Sequence, residues 1–346
     1  MIHTVADLPT LEADLARRAD RTAVAGPWDS GSLALLAERG VLGAWIPVDA
    51  GGHGADEAEL VDLLSAVARR CLTTALVLSQ WAAACRLIAT AEPAARQVEL
   101  PALARGTRFT TVGISQLTTS RRHLGTAAVR AALGPDGWRI DGQCPWVTGA
   151  DRSDTLVTGA IDEAGEQRFF LVATGSPGVV VGPPLELLAL SGSRTAAVGL
   201  TAVRPVAVIA PPAGGTRSGG LATIALALGA AQGALDLLAT EADRRPDLVA
   251  IVAALRDEAG VVAADLHRAA QAGIEPGPRD RLRATATSLA LRASQAALAA
   301  CKGAGFVSGH PAERLVREAC FFLVWSCPPA VTGHVLCSLA GLEGGA

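Results

Sequence analysis

The chain has 346 residues, of which half are apolar and 18% charged, so intrinsic disorder is excluded and a sizeable core in two or three compact units is expected. The net charge of -3, with both signs interspersed, leaves no electrostatic footprint for nucleic acid or an anionic membrane. Lys302 is the single lysine among 30 basic residues and tyrosine is absent, which removes tyrosine acid/base chemistry and leaves one residue able to form a Schiff base. Residues 1–9 carry neither a basic segment nor an apolar run of the secretory type, and the apolar stretch Leu221–Ala231 is too short to span a bilayer. A cytoplasmic protein without membrane contact is therefore expected. The seven cysteines form no Cys-x-x-Cys pair and have no histidine at ligand spacing, so neither a disulfide framework nor a metal site is expected, and most should be buried thiols.

Apolar residues three and four apart predict helices over Leu8–Ala25, Ser30–Gly40, Glu57–Arg70 and Thr73–Thr90. Ser30 and Gly40 suit the two ends of the second helix. Near Thr107 the pattern changes to short segments rich in valine, leucine, isoleucine, threonine and phenylalanine, with Gly134-Pro-Asp-Gly137 as a hairpin signal between two of them. A β-domain running to about Ile209 follows from this, and the Gly/Pro-rich stretch from Pro211 to Gly220 reads as the linker out of it. Helical periodicity then resumes over Leu221–Arg244, Asp247–Ala272, Pro278–Lys302 and Glu313–Val324, long alanine-rich elements suited to a four-helix bundle. The expected fold is α+β and multi-domain: an all-α domain over 1–106, a middle antiparallel β-domain over 107–212, and a C-terminal helical bundle over 213–346.

This order, together with several local runs, resembles the acyl-CoA dehydrogenase flavoprotein family. The runs are Gly40-Val-Leu-Gly-Ala-Trp-Ile-Pro through Gly54, Thr73-Thr-Ala-Leu-Val-Leu-Ser79, Leu100–Gly106, Trp138–Gly142 with Trp146-Val-Thr-Gly149, Leu190-Ser-Gly-Ser-Arg-Thr195, and Lys302-Gly-Ala-Gly-Phe306 followed by His310–Ala319. The resemblance implies FAD between the β-domain and the bundle, accepting a hydride from an acyl thioester carried by CoA or a carrier protein. It implies that Trp146 and Thr148 line the flavin ring and that Thr118 meets its pyrimidine edge. Gly303 and Gly305 would let the backbone approach a neighbouring subunit's cofactor, and Arg245 would pair with the pyrophosphate across a dimer. A buried Trp-x-Thr, helix-ending glycines and a solvated arginine are the competing structural readings. A homo-oligomer, dimer or tetramer, or a heteromer with a homologous subunit is the implied assembly.

Two departures from the family pattern bear on function. After Leu117-Thr118 the expected Glu-Pro-x-x-Gly-Ser-Asp loop is replaced by Thr119-Ser-Arg-Arg-His-Leu124, which is shorter and basic. Removing an α-proton from a thioester needs a carboxylate of raised pKa in a dry pocket. The family's two places for that glutamate correspond here to Ser326 and to Gly219–Gly220, and neither carries a carboxylate. The Ser326 hydroxyl has no useful basicity of its own. A Cys327 thiolate in apolar surroundings is disfavoured, and His123 on the replaced loop is the one other ionisable candidate, with an exposed basic loop as its bland reading. His53 and His310 read as structural. The leading reading is a divergent flavoprotein acting on an acyl thioester. The alternatives are a non-catalytic partner subunit of a heteromeric dehydrogenase, or a biosynthetic enzyme of the same fold doing dehydration, cyclisation or oxygenation.

Overall fold

The computed structural model describes residues 8–23, 30–118, 127–211 and 220–342. The N-terminal part holds α1 (Leu8–Ala23), α2 (Ser30–Glu38), α3 (Glu57–Arg70), α4 (Leu72–Ile88) and α5 (Pro93–Ala104). Gly40 ends α2 in the left-handed conformation that its lack of a Cβ allows. Asp56 and Glu59 form a reciprocal capping box that starts α3. The fifth helix, α5, begins with Pro93 at its first turn, where the missing N–H costs nothing.

The middle part is one eight-stranded sheet: β1 (Thr110–Gly113), β2 (Val129–Gly134), β3 (Gly137–Val147), β4 (Thr155–Ile161), β5 (Gln167–Ala173), β6 (Val179–Pro184), β7 (Ala196–Val203) and β8 (Ala207–Ile209). Gly134 pairs with Gly137 across the expected two-residue turn. The sheet is mostly antiparallel, but β1 runs parallel to β4 and β2 meets β4 in parallel, so a purely antiparallel domain is corrected to a mixed sheet. The reason is that β1 enters from α5 across the sheet rather than by a hairpin. Both faces are covered. Along β4 and β5, Val157, Phe169 and Leu171 join the main helical core, while Leu156, Phe170 and Val172 form a second core on the opposite face. A short helix, α6 (Ser115–Thr118), follows β1.

The C-terminal part holds α7 (Leu221–Ala242), α8 (Val249–Ala272), α9 (Pro276–Gly305), α10 (Pro311–Ala319) and α11 (Pro329–Leu339). The last bundle helix is shorter than its periodicity predicts. It stops at Ala319, gives way to a 3-10 turn over Cys320–Leu323, and is followed by the additional helix α11. α7 has the length and apolarity of a membrane span, yet two thirds of its apolar window is buried among its neighbours, as expected of a core helix.

Close approach of α3 and α7 organises the helical part. A Cβ on Gly229 would lie 2.3 Å from the Ser65 carbonyl oxygen and one on Gly233 2.5 Å from the Arg69 carbonyl oxygen, so only glycine fits at either place. The Ser65 hydroxyl donates to the Ala225 carbonyl at 3.1 Å. One turn beyond Gly233, Asp236 accepts a two-point bond from Arg69, both distances 2.7 Å, and another from Arg70 at 2.9 Å. Arg70 also pairs with Glu12, which brings α1 into the same half-buried network. Gly229→Ala is expected to destabilise the fold by about 1–3 kcal/mol through overpacking. Gly260→Ala on α8, where an added methyl meets open space, should instead stabilise by about 0.4–1 kcal/mol. Urea unfolding of both variants checks the contrast, and equal effects would remove the close approach from the account.

Candidate active site

The strand β3 carries Trp146 outward, 45% exposed, and then turns inward at Val147 and Thr148. Gly149 closes the turn in a left-handed conformation. Its N–H donates to the Ser193 carbonyl at 2.8 Å, and the Thr111 hydroxyl donates to the Thr148 carbonyl at 2.7 Å. The buried Thr148 hydroxyl is 3.2 Å from that of Thr195, which is 2.9 Å from that of Ser193. A chain of three hydroxyls thus runs from the Leu190–Thr195 loop to the residue beside Trp146. The loop is held under backbone strain. Leu190 at φ 64° and Arg194 at φ 49° occupy left-handed conformations costly for side chains with a Cβ. Arg194 is anchored by a salt bridge to Asp151, and Arg317 on α10 donates to the Leu188 carbonyl at 2.8 Å, tying the loop to the bundle.

A second constellation joins the two positions at which the resemblance expects a carboxylate. Arg283, on the buried face of α9, has no solvent exposure. Its Nη1 donates to the Thr223 carbonyl at 2.5 Å, in the first turn of α7 that Gly220 caps. Its Nη2 donates to the Trp325 carbonyl at 3.3 Å, immediately before Ser326. The guanidinium carbon lies 5.3 Å from the Phe322 ring centre and 5.9 Å from that of Trp325, and Trp325 stacks on Phe321. No carboxylate pairs with Arg283 among the described residues, and its Nε meets no acceptor. Thr287, one turn along the same face, is buried with its hydroxyl unpartnered. Burial pushes the Arg283 pKa down to about 10, so the group remains a cation at neutral pH. It donates protons in hydrogen bonds and accepts none.

Cys327 lies in the same segment. The thiol is half-buried, contacts the Phe322 carbonyl at 3.9 Å and lies within the electrostatic reach of Arg283. Ser326 adopts φ 50°, again left-handed without a glycine. Buried carboxylates do survive nearby in sequence. Glu318 on α10 is buried, and desolvation raises its pKa against the opposing pull of Arg314 and Arg317.

At the far end of α9, Arg245 is committed within the chain. It donates to the Ala300 carbonyl at 3.1 Å and pairs with Asp247 at 2.9 Å. This puts Arg245 beside the Lys302–Gly305 run, where Lys302 breaks the helix at φ 55°. A Cβ at Gly303 would meet nothing, whereas one at Gly305 would lie 2.7 Å from the Cys301 Cβ. The Gly305 requirement is thus internal packing, while Gly303 leaves its backbone open. The Thr118 backbone closes α6; its side chain and His123 lie outside the described residues. His310 caps α10, its Nδ1 accepting from the Ala312 N–H at 3.1 Å. All seven cysteines are free thiols, and no group of metal-ligating side chains exists among the described residues.

Residues 6–107 match the acyl-CoA dehydrogenase N-terminal domain. A probable acyl-CoA dehydrogenase of Bacillus subtilis, YngJ, is 25% identical over 339 residues, covering 88% of each chain. The chain is thus similar to acyl-CoA dehydrogenases over most of its length, and its first third matches their N-terminal domain. Its fold superposes on a glutaryl-coenzyme A dehydrogenase in complex with glutaryl-CoA with a TM-score of 0.82, at 18% identity, covering 99% of this chain and 97% of that one. The FMN-bound dibenzothiophene monooxygenase TdsC of Paenibacillus sp. A11-2 matches with a TM-score of 0.79 at 17% identity, over 97% and 96% of the two chains. The fold is thus shared with proteins named as a dehydrogenase and as a monooxygenase.

Arg283 is the residue that sequence reasoning missed. Its signal was present, since positions 283, 286, 287, 290 and 293 share one face of α9 and all but the first and third are alanine. An arginine on an apolar stripe marks a buried charge. For the hydroxyl chain, Thr195→Val should leave the Ser193 and Thr148 hydroxyls short of partners and cost about 1–3 kcal/mol in urea unfolding. No loss of stability would mean that the chain is not held as described.

Proposed function

We propose that the protein is a flavin-dependent enzyme acting on an acyl thioester, presented by CoA or a carrier protein, without the carboxylate base of conventional α,β-dehydrogenation. The observation that carries this reading is Arg283, a cation bonded to both segments where the family's glutamate would stand. Trp146 offers a half-exposed aromatic wall, and Thr148 a hydroxyl already oriented by Thr195, which fit a planar ring system. When bound, the flavin supplies hydride acceptance or oxygen activation. The chain's own contribution is to hold that ring against Trp146 and to keep the site dry beneath Trp325. FAD is the expected form by resemblance. With Arg245 occupied by Ala300 and Asp247, its pyrophosphate would have to draw that guanidinium away from them.

Oxygenation or another biosynthetic reaction on the same scaffold is favoured over simple dehydrogenation, because Ser326 and Arg283 cannot take a proton from Cα. The fold shared with an FMN-bound monooxygenase supports the same direction. A homo-oligomer fits the open backbone at Gly303, and a non-catalytic role beside a homologous subunit is the competing assembly.

The purified chain is expected to be yellow, and chromatography of the released flavin distinguishes FAD from FMN. In a dye-reduction assay butyryl-CoA should give turnover at least about 100-fold below the ~10 s⁻¹ typical of enzymes. Turnover near ~10 s⁻¹ would restore conventional dehydrogenation. A colourless chain that turns yellow only with a co-expressed homologue would establish the partner-subunit role.

A further inference from the structure

A guanidinium buried without a counter-ion is costly. Its desolvation is repaid only when an opposite charge or a full set of acceptors surrounds it. Arg283 has two carbonyl acceptors and two aromatic faces, but its Nε finds nothing, and the Thr287 hydroxyl one turn away finds nothing either. The other ionisable group that its field reaches is Cys327, a thiol and not a carboxylate. Two unpartnered buried donors one helical turn apart on the same face, one of them on a cation, suit a small oxyanion, whose two oxygens can each accept one.

The position narrows the ligand. If the site handles an acyl thioester, as proposed above and on which this inference rests, then residues 325–327 and the start of α7 face the acyl Cα. A cation there favours a negative substituent at that carbon. We propose that Arg283 and Thr287 form a carboxylate-binding subsite, so that the preferred substrate is a thioester bearing a second carboxylate on Cα, of the malonyl type. The half-buried Trp325 ring, its centre 5.9 Å from the guanidinium carbon, covers the subsite. Binding therefore displaces this cover and repays the displacement through the new ion pair.

Isothermal titration of the flavin-loaded protein with malonyl-pantetheine, propionyl-pantetheine and free malonate tests this. The malonyl ester should bind at least about tenfold more tightly than the propionyl ester. Arg283→Met should abolish the difference between the two esters, and its Tm should match or exceed that of the wild type, because a buried unpaired charge has been removed. Thr287→Val, a milder change, should reduce the preference several-fold, and it carries the test if Arg283→Met does not fold. Equal binding of the two esters by the wild type overturns the subsite but leaves the thioester reading intact. Free malonate binding as tightly as its ester overturns the thioester assignment of the subsite. Failure of both esters to bind overturns the functional reading itself, and the subsite with it.

Discussion

The helical half of the molecule depends on the contact between α3 and α7. Two glycines one helical turn apart let the backbones approach until a single methyl group would collide with a carbonyl oxygen. That approach keeps the apolar α7 within the protein, aligns Asp236 with Arg69 and Arg70, and fixes where its first turn points. The first turn presents the Thr223 carbonyl to Arg283, so packing midway along α7 positions an acceptor at its start. The interaction is steric before it is chemical, and it leaves little freedom for the site to rearrange.

The proposed site turns on the sign of a charge. A conventional base needs a carboxylate, whereas the group found here is a buried guanidinium that bridges the Thr223 and Trp325 carbonyls. Burial lowers its pKa only to about 10, so the inversion persists across the physiological range. The three-hydroxyl chain from Ser193 through Thr195 to Thr148 is independent of that cation. Its order comes from the strained loop at Leu190–Arg194, pinned to the sheet by Asp151 and to the bundle by Arg317. Sheet and bundle thus each contribute a preorganised part, and the Arg317 contact couples them.

Most of the architecture was legible in the sequence because period and composition report burial directly. The hairpin at Gly134–Gly137, the buried α7 and the helix, sheet, helix order all follow from local pattern. Other features were not legible because they are set by distant partners. The parallel pairing of β1 with β4 depends on chain crossing rather than on the residues of either strand. The early end of α10 depends on Phe322 turning inward under Arg283, which no helical period signals. At the proposed site, Ser326 could be read from the sequence, but the contact beside it could not, because Arg283 is more than forty positions away along the chain and reaches Trp325 only through the packing of α9. Arg245 shows the opposite case, a residue expected to serve a cofactor that bonds within the chain to the Ala300 carbonyl near the end of α9 and to Asp247.

In the proposed reading, no group in this site takes a proton from the α-carbon of a simple acyl thioester. Hydrogen exchange at that carbon measures this without requiring any electron acceptor. Propionyl-pantetheine incubated with the flavin-loaded protein in deuterium oxide is expected to gain deuterium at Cα no faster than in buffer alone, as followed by proton NMR. Exchange at about 1 s⁻¹ or faster would contradict the account and place a competent base elsewhere in the chain.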